Sequence, residues 1–426
     1  MKQHARTATA VVAGALLISL SACSSGSGSS ASSATSAAKN VTLKLVQSGD
    51  ANQGGAFQKL ADEYKAETGT TVQIVEVPSD NLATQLRTSA QANDLPDLAA
   101  APNVDPVWKD RILDLSDIAK AAKVKPTLLV QDPGDKKVKA LPTTLTAVGM
   151  FINKTLWDKA GVTYPKDISG SWTWDDFQAK ADQVRTATGA KYGAVMDASA
   201  HRMRAFLYQF GSEGVVESSP GNFTTNDKTA PALEYFKKMN DSGFMPKSVW
   251  TSGDDASAAF KSGQVTAYMS GVWQIADFQA NITNFEWASV PMPQQPVRAT
   301  NYGSASWMVA FKGTGHEQQT LDFIKWLYSP AHYTEYCNIQ GCLPALDGIT
   351  PTYKANADAF KLYNDEISAS PAVSANQTTD QLRNAYLGRA LTSEPLKDET
   401  IKYLNGQQTL DQTIKAILDS TKKQLS

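Results

Sequence analysis

Three cysteines and four histidines in 426 residues leave little material for thiol, imidazole or metal chemistry. His4 falls in the extreme N-terminal segment. Of the rest, His201, His316 and His332, none has another histidine at the three- or four-residue spacing that puts two ligands on one helical face. His316-Glu317 does not continue into a zinc motif, because Thr320 stands where the second His belongs. Gly-x-Ser-x-Gly, the phosphate loop, Cys-x-x-Cys and the EF-hand loop are absent as well. No catalytic residue, cofactor or metal is therefore expected. A charge excess is also missing: 40 Lys and Arg stand against 42 Asp and Glu, a net charge of -2. Neutralising a phosphate backbone needs a basic excess, so nucleic acid is not an expected partner.

The N-terminus is distinctive. Lys2 and Arg6 precede a largely apolar run from Ala8 to Leu20. That run suits the core of an export signal and is short of the roughly 20 residues that span a bilayer as a helix. Leu20, Ser21, Ala22 and Cys23 resemble the bacterial lipobox, which implies cleavage before Cys23, acylation of its thiol and anchoring at the extracytoplasmic face of the cell membrane. Ser24 to Ala38 is almost wholly Ser, Gly, Ala and Thr, a composition that packs no core and serves as a tether. Expected organisation is a signal over 1–22, a lipidated Cys and tether over 23–40, and a folded domain over 41–426.

With 42% apolar and 19% charged residues, the remaining chain can build substantial cores. Val41 to Val46 alternates as a strand, and Phe57, Leu60, Ala61 and Tyr64 fall on one face of a helix that Gly69 can end. The β-branched run Thr71 to Val77 completes a βαβ unit, which implies a parallel sheet with ligands favoured at the carboxyl ends of its strands. Thr173 and Asp176 have capping-box spacing, Pro231 opens another helix, and strand-like runs recur at Val265–Met269, Phe285–Val290 and Trp307–Phe311. The C-terminal third reads as mostly helical. The expected fold class is α/β in two lobes, each a sheet flanked by helices, joined by hinge crossovers. Lobe 1 is expected over about 41–147 plus 265–315, and lobe 2 over about 148–264 plus much of 316–426.

Several ordered segments carry a family resemblance. KALPTTLTAVGMFINKTLWDKAGV followed by SWTWDDFQAKADQV, then AAFKSGQVTAYMSGVW, YGSASWMVAF and HEQQTLDFIKWLYSPAHYTEYCNIQGCLPAL resemble the sugar-binding group of extracellular solute-binding proteins of bacterial ABC importers. The resemblance runs from Val41 to Leu346. It implies a monomeric two-lobed protein that closes on a carbohydrate, expected to be an oligosaccharide, in the cleft between its lobes and presents it to permease subunits without breaking a bond. Ala267-Tyr268-Met269 is one residue longer than the family's alanine-methionine, and the close-set Cys337 and Cys342 are not general to the family.

Sugar recognition needs aromatic rings for apolar C–H faces and directional partners for hydroxyls. Trp273, supported by the family's matching tryptophan, is the leading platform, with Trp250, Tyr302 and Trp307 as further candidates and Gly303 as a point of close backbone approach. Asn52, Gln53, Asp97, Thr143, Thr144 and Asp197 are the expected polar partners, and Arg202 or Arg204 could add a guanidinium fork. Cys337 and Cys342 are expected to form a disulfide in an oxidising compartment, two buried thiols being the alternative. A surface-anchored glycoside hydrolase would need two facing carboxylates. The adjacent pairs Asp175-Asp176 and Asp254-Asp255 are better explained as helix-opening charges. A macromolecule-binding adhesion lipoprotein is the remaining alternative.

Overall fold

A computed structural model describes residues 41–49 and 54–426. The export signal, Cys23, the tether, Asn52 and Gln53 lie outside the described residues. Among the described residues, twelve strands follow in chain order: β1 (Thr42–Gln47), β2 (Thr71–Glu76), β3 (Leu98–Ala101), β4 (Leu141–Pro142), β5 (Leu145–Asn153), β6 (Val195–Met196), β7 (Val216–Ser219), β8 (Asn222–Thr224), β9 (Ala267–Gly271), β10 (Trp287–Val290), β11 (Tyr302–Ser304) and β12 (Trp307–Ala310). They form two five-stranded sheets and a hairpin. The first sheet has the order β2-β1-β3-β12-β4; in the second, β10-β5-β9-β6 are joined by β11, which pairs with β5.

The first sheet grows from the expected βαβ unit. β1 lies parallel to β2 and β3, and the intervening helix Ala56–Thr68 buries Phe57, Leu60, Ala61 and Tyr64 before ending at Gly69, whose φ of 79° only glycine adopts at no steric cost. β12 closes onto β3 antiparallel. The second sheet is organised on β5, whose sequence LTAVGMFIN is apolar enough to be buried along almost its whole length. The helix Trp174–Thr188 beside it begins with the expected capping box, Thr173 and Asp176 each bonding the other's backbone N–H.

The chain crosses between the sheets along a hydrogen-bonded pair of strands. β4 continues through Thr143 and Thr144 into β5, and β11 continues through Ala305 and Ser306 into β12. Thr143 N–H donates to Ser306 O at 2.9 Å, and Ala305 N–H donates to Thr144 O at 2.9 Å. Two buried tyrosines hold this bridge, Tyr328 donating to Pro142 O at 3.0 Å and Tyr333 to Thr143 O at 2.6 Å.

The sheets divide the chain differently from the expected lobes. Within 265–315 only β12 joins the first sheet, while β9, β10 and β11 pair in the second. The helices Glu317–Leu327 and Pro330–Gln340, expected with the second lobe, pack instead on β12 and on the helix Ala56–Thr68 of the first. Alternation in a sequence shows that a strand has a buried face; the sheet it joins depends on long-range pairing. The helix Asn376–Tyr386 sets Leu382, Ala385 and Tyr386 into the apolar cluster around Val46, Ala99, Trp108 and Val309 of the first sheet. The last two helices, Pro395–Leu404 and Leu410–Leu425, pack on the helix Thr229–Asp241 beside the second.

Candidate functional site

β6 and β9 run parallel, with Val195 opposite Tyr268 and Met196 opposite Met269, so their carboxyl ends open at the same edge of the second sheet. Asp197 follows β6 there, Ser270 and Gly271 end β9 beside it, and Trp273 lies two residues beyond. Ser199 caps the following helix, Ala200–Gln209, by accepting from His201 N–H at 3.1 Å, which points Arg202 of the first turn back toward Asp197.

Asp197 is the hub of this cluster. One carboxylate oxygen accepts from Arg202 Nε at 2.8 Å, from Arg202 Nη2 and from Ser270 Oγ at 2.8 Å, and the other accepts from the Tyr268 hydroxyl. Burial first, and then the Asp197 charge, push the Tyr268 hydroxyl well above its ordinary range, so it stays protonated as a donor. The Arg202 guanidinium in turn lies 4.4 Å from the centroid of the Trp273 ring, a cation–π contact that fixes the indole. Gly271 lets the indole lie down on the strand, since a Cβ there would come within 2.1 Å of it. Trp273 nevertheless keeps 38% of its surface exposed, whereas Trp250 and Trp307 keep 3% and 2%. The result is an exposed aromatic plate beside a guanidinium and a carboxylate that the buried Tyr268 and Ser270 hydroxyls hold in place.

His201 occupies the other side. Its Nδ1 faces Gln377 Oε1 at 2.9 Å and Asn301 Nδ2 at 2.6 Å, and its ring centroid is 6.0 Å from that of Trp273. Burial lowers its pKa to about 4, so the imidazole is neutral at physiological pH.

The other residues singled out in the sequence are dispersed. Trp250 donates to Met196 O at 3.1 Å and packs against Phe236 in the core. Trp307 is buried in the first sheet's apolar cluster, and Tyr302 is buried where β11 pairs with β5. The space at Gly303 is taken by the protein itself: a Cβ would lie 2.1 Å from Thr378 Oγ1. Asp97 stands at the amino end of β3, where it accepts from Lys44 N–H at 2.8 Å and meets His316 Nδ1 at 3.1 Å. Thr143 and Thr144 are buried in the crossover. Cys337 and Cys342 are buried thiols with their sulfurs 2.7 Å apart. Among the described residues, no group of three His, Cys, Asp or Glu side chains is placed to hold a metal. Tyr268 and Ser270 were not legible as site residues, because they lie inside a strand and only its pairing with β6 brings them to Asp197.

A family model of bacterial extracellular solute-binding proteins matches residues 59–361. The chain belongs to that family. A binding protein of Brucella abortus (strain 2308) is 23% identical to this solute-binding protein over 375 residues, covering 83% of this chain and 90% of its own length. Many solved structures share the fold. The cyclic α-maltosyl-1,6-maltose binding protein of Arthrobacter globiformis is 22% identical with a TM-score of 0.69, covering 91% of this chain and 99% of its own. An ABC substrate-binding protein of Listeria monocytogenes, solved in complex with cycloalternan, is 18% identical with a TM-score of 0.71, covering 90% and 98%. Both lobes of this solute-binding protein are thus accounted for, as is the extracytoplasmic setting that its family name implies.

Proposed function

We propose that this solute-binding protein captures a carbohydrate reversibly between its two lobes and hands it intact to the permease of an ABC importer. The observation that carries the reading is the exposed Trp273 indole, held by Arg202 beside the Asp197 carboxylate. A sugar's C–H face lies flat on such a plate while its hydroxyls reach the surrounding donors and acceptors. The likeness to structures that bind cyclic oligosaccharides supports the same ligand class. In this reading the first lobe is built on 41–142 and 307–340, and the second on 145–304 with the last two helices. A ligand touching both binds the closed form more tightly and shifts the population toward it by that difference in affinity.

Calorimetry against a panel of mono- and oligosaccharides, with product analysis of the same mixtures, tests the reading. One sugar should bind with one-to-one stoichiometry, stay chemically unchanged and contract the scattering profile. Trp273→Ala should weaken its binding at least tenfold, a loss of about 1.4 kcal/mol. Cleavage of the sugar, or no binding by any member of the panel, would sink the proposal.

The same reading places Cys23 under acyl chains at the outer membrane face, with 24–38 as the tether and the protein a monomer. It also has Cys337 and Cys342 joined in that oxidising compartment. Intact-mass measurement on protein extracted from membranes should show added acyl mass at the N-terminus and the loss of two hydrogens at the cysteine pair. An unmodified Cys23 with two free thiols would reject both assignments.

A further inference from the structure

The helix Asn376–Tyr386 touches both sheets. Near its start, Ser304 N–H of β11 donates to Thr378 Oγ1 at 3.3 Å, while Leu382, Ala385 and Tyr386 further along are buried in the apolar cluster of the first sheet. Gln377, beside Thr378, reaches the helix Ala200–Gln209. Its Oε1 lies 2.9 Å from His201 Nδ1 and accepts from Asn301 Nδ2, which also donates to His201 O at 2.9 Å. Side chains from three separated segments thus close one node, and its imidazole lies 6.0 Å, centroid to centroid, from the Trp273 indole. Gln377 and Arg204 line a crevice of about 790 Å³ between the two helices, which brings solvent to the edge of the node.

The node suits a neutral imidazole and opposes a charged one. Asn301 Nδ2 is 2.6 Å from His201 Nδ1, a contact in which a proton-free Nδ1 accepts. A protonated ring carries donors at both nitrogens, so Nδ1 would face a second donor. Nε2 is buried with no hydrogen-bond partner in the protein, so its N–H would meet no acceptor. The surrounding charges act in the same direction. His201 sits in the first turn of the helix Ala200–Gln209, where the helix dipole disfavours a cation. Burial is the largest cause of its lowered pKa; the bond to Gln377 acts against it, and the Arg202 and Arg204 guanidiniums add to it. Trp273, Asn301 and Gln377, facing the ring from the other elements, are uncharged. The carboxylates of the region serve arginines: Asp197 bonds Arg202, Glu394 lies 3.5 Å from Arg204, and Asp380, one turn beyond Gln377, bonds Arg383. A proton on His201 is therefore accommodated by parting the ring from Gln377 and Asn301 and turning it to water.

We propose that His201 is a proton-sensitive latch: the neutral imidazole ties the helix Asn376–Tyr386 to the second sheet beside the Trp273 plate, and protonation unties it, loosening helix and indole together. The latched ring has a pKa of about 4 and a released ring the ordinary 6.5, so between these values opening takes up a proton. The latch is fully formed above pH 6.5 and weakens as pH falls. Outside the cytoplasm pH follows the surroundings, so the grip on a ligand follows them too. That last step rests on the carbohydrate reading above, which makes Trp273 the ligand's platform; the untying does not.

Hydrogen–deuterium exchange on the full chain at pH 7.0 and 5.0 tests the latch without a ligand. After correction for the intrinsic pH dependence of amide exchange, opening of segments 200–209 and 376–386 should increase about twentyfold at pH 5.0 while β1 and β2 change little. His201→Gln should reduce that increase to about twofold or less. In protein carrying 5-fluorotryptophan, the Trp273 fluorine resonance, identified by its loss in Trp273→Phe, should move over the same pH range. Wild-type segments that track β1 and β2, or a Trp273 resonance that stays fixed, overturn the latch whether or not the His201 variant folds. An equal increase in His201→Gln overturns it as well. Calorimetry with the saccharide panel reads the consequence: affinity should fall about tenfold from pH 7.0 to 5.0 in the wild type and about twofold or less in His201→Gln. Equal wild-type affinity at both pH values overturns control of binding by the latch. If no saccharide binds at pH 7.0, the carbohydrate reading fails, while exchange and fluorine spectra still decide the latch.

Discussion

At the scale of single residues, the proposed site depends on one carboxylate that is already satisfied before any ligand arrives. Asp197 holds Arg202, Tyr268 and Ser270, and Arg202 holds Trp273, so the indole is oriented in advance and little ordering cost is left for binding. The neighbouring His201 makes a pH prediction. Its folded pKa of about 4 is below the 6.5 of an unperturbed imidazole, with burial as the main cause. Between these values the unfolded chain binds the extra proton. The contribution to stability is therefore complete above pH 6.5 and declines as pH falls toward 4, by up to about 3 kcal/mol. Denaturant titrations of the wild type and His201→Gln at pH 7.0 and 5.0 should show a shallower loss on acidification in the variant. Equal slopes would mean that folding does not lower the His201 pKa. Three of the four tryptophan and tyrosine candidates were poor guides: Trp250, Tyr302 and Trp307 are buried, and only Trp273 is open to solvent.

At the scale of elements, the sequence was most legible where a pattern is local. The stripe of Phe57, Leu60, Ala61 and Tyr64, the Thr173 capping box and the glycine stop at Gly69 all appear as read, because each depends on neighbours a few residues away. The β7–β8 hairpin was not anticipated, and the helices Ala357–Ala369 and Pro395–Leu404 were covered only by the general expectation of a helical C-terminal third. Gly303 shows why element contacts escape such reading. Its missing side chain admits Thr378 of the helix Asn376–Tyr386 against β11, where Ser304 N–H also donates to Thr378 Oγ1 at 3.3 Å. Gly303→Ala should therefore push that helix from the strand and destabilise the fold by about 1 to 3 kcal/mol, and adding Thr378→Ala should restore part of the loss. Denaturant midpoints of the single and double variants measure this, and an unaffected single variant would show that the helix yields freely.

At the scale of the whole molecule, a solute-binding protein must let two lobes move without losing either core. The crossover pair Thr143-Thr144 and Ala305-Ser306 meets that need by carrying strands, rather than loose loops, from one sheet to the other. Tyr328 and Tyr333 pin it from the first-sheet side. The helix Asn376–Tyr386 adds a second link. It is anchored in the first sheet's apolar cluster through Leu382, Ala385 and Tyr386, and its Gln377 bonds the His201 ring that neighbours Trp273.

The sequence by itself determined the α/β class, the family, the order of the early strands and helices, and Trp273 and Asp197 as candidate ligand contacts. These follow from periodicity, capping and ordered motifs, which are properties of nearby residues. Tertiary structure alone decided that β9 to β11 belong to the second sheet, that Tyr268 and Ser270 meet Asp197, that Trp250 and Trp307 are core, and that a crevice opens along the helix Asn376–Tyr386. A local pattern fixes that a face is to be buried. What it is buried against depends on contacts between residues distant in the chain.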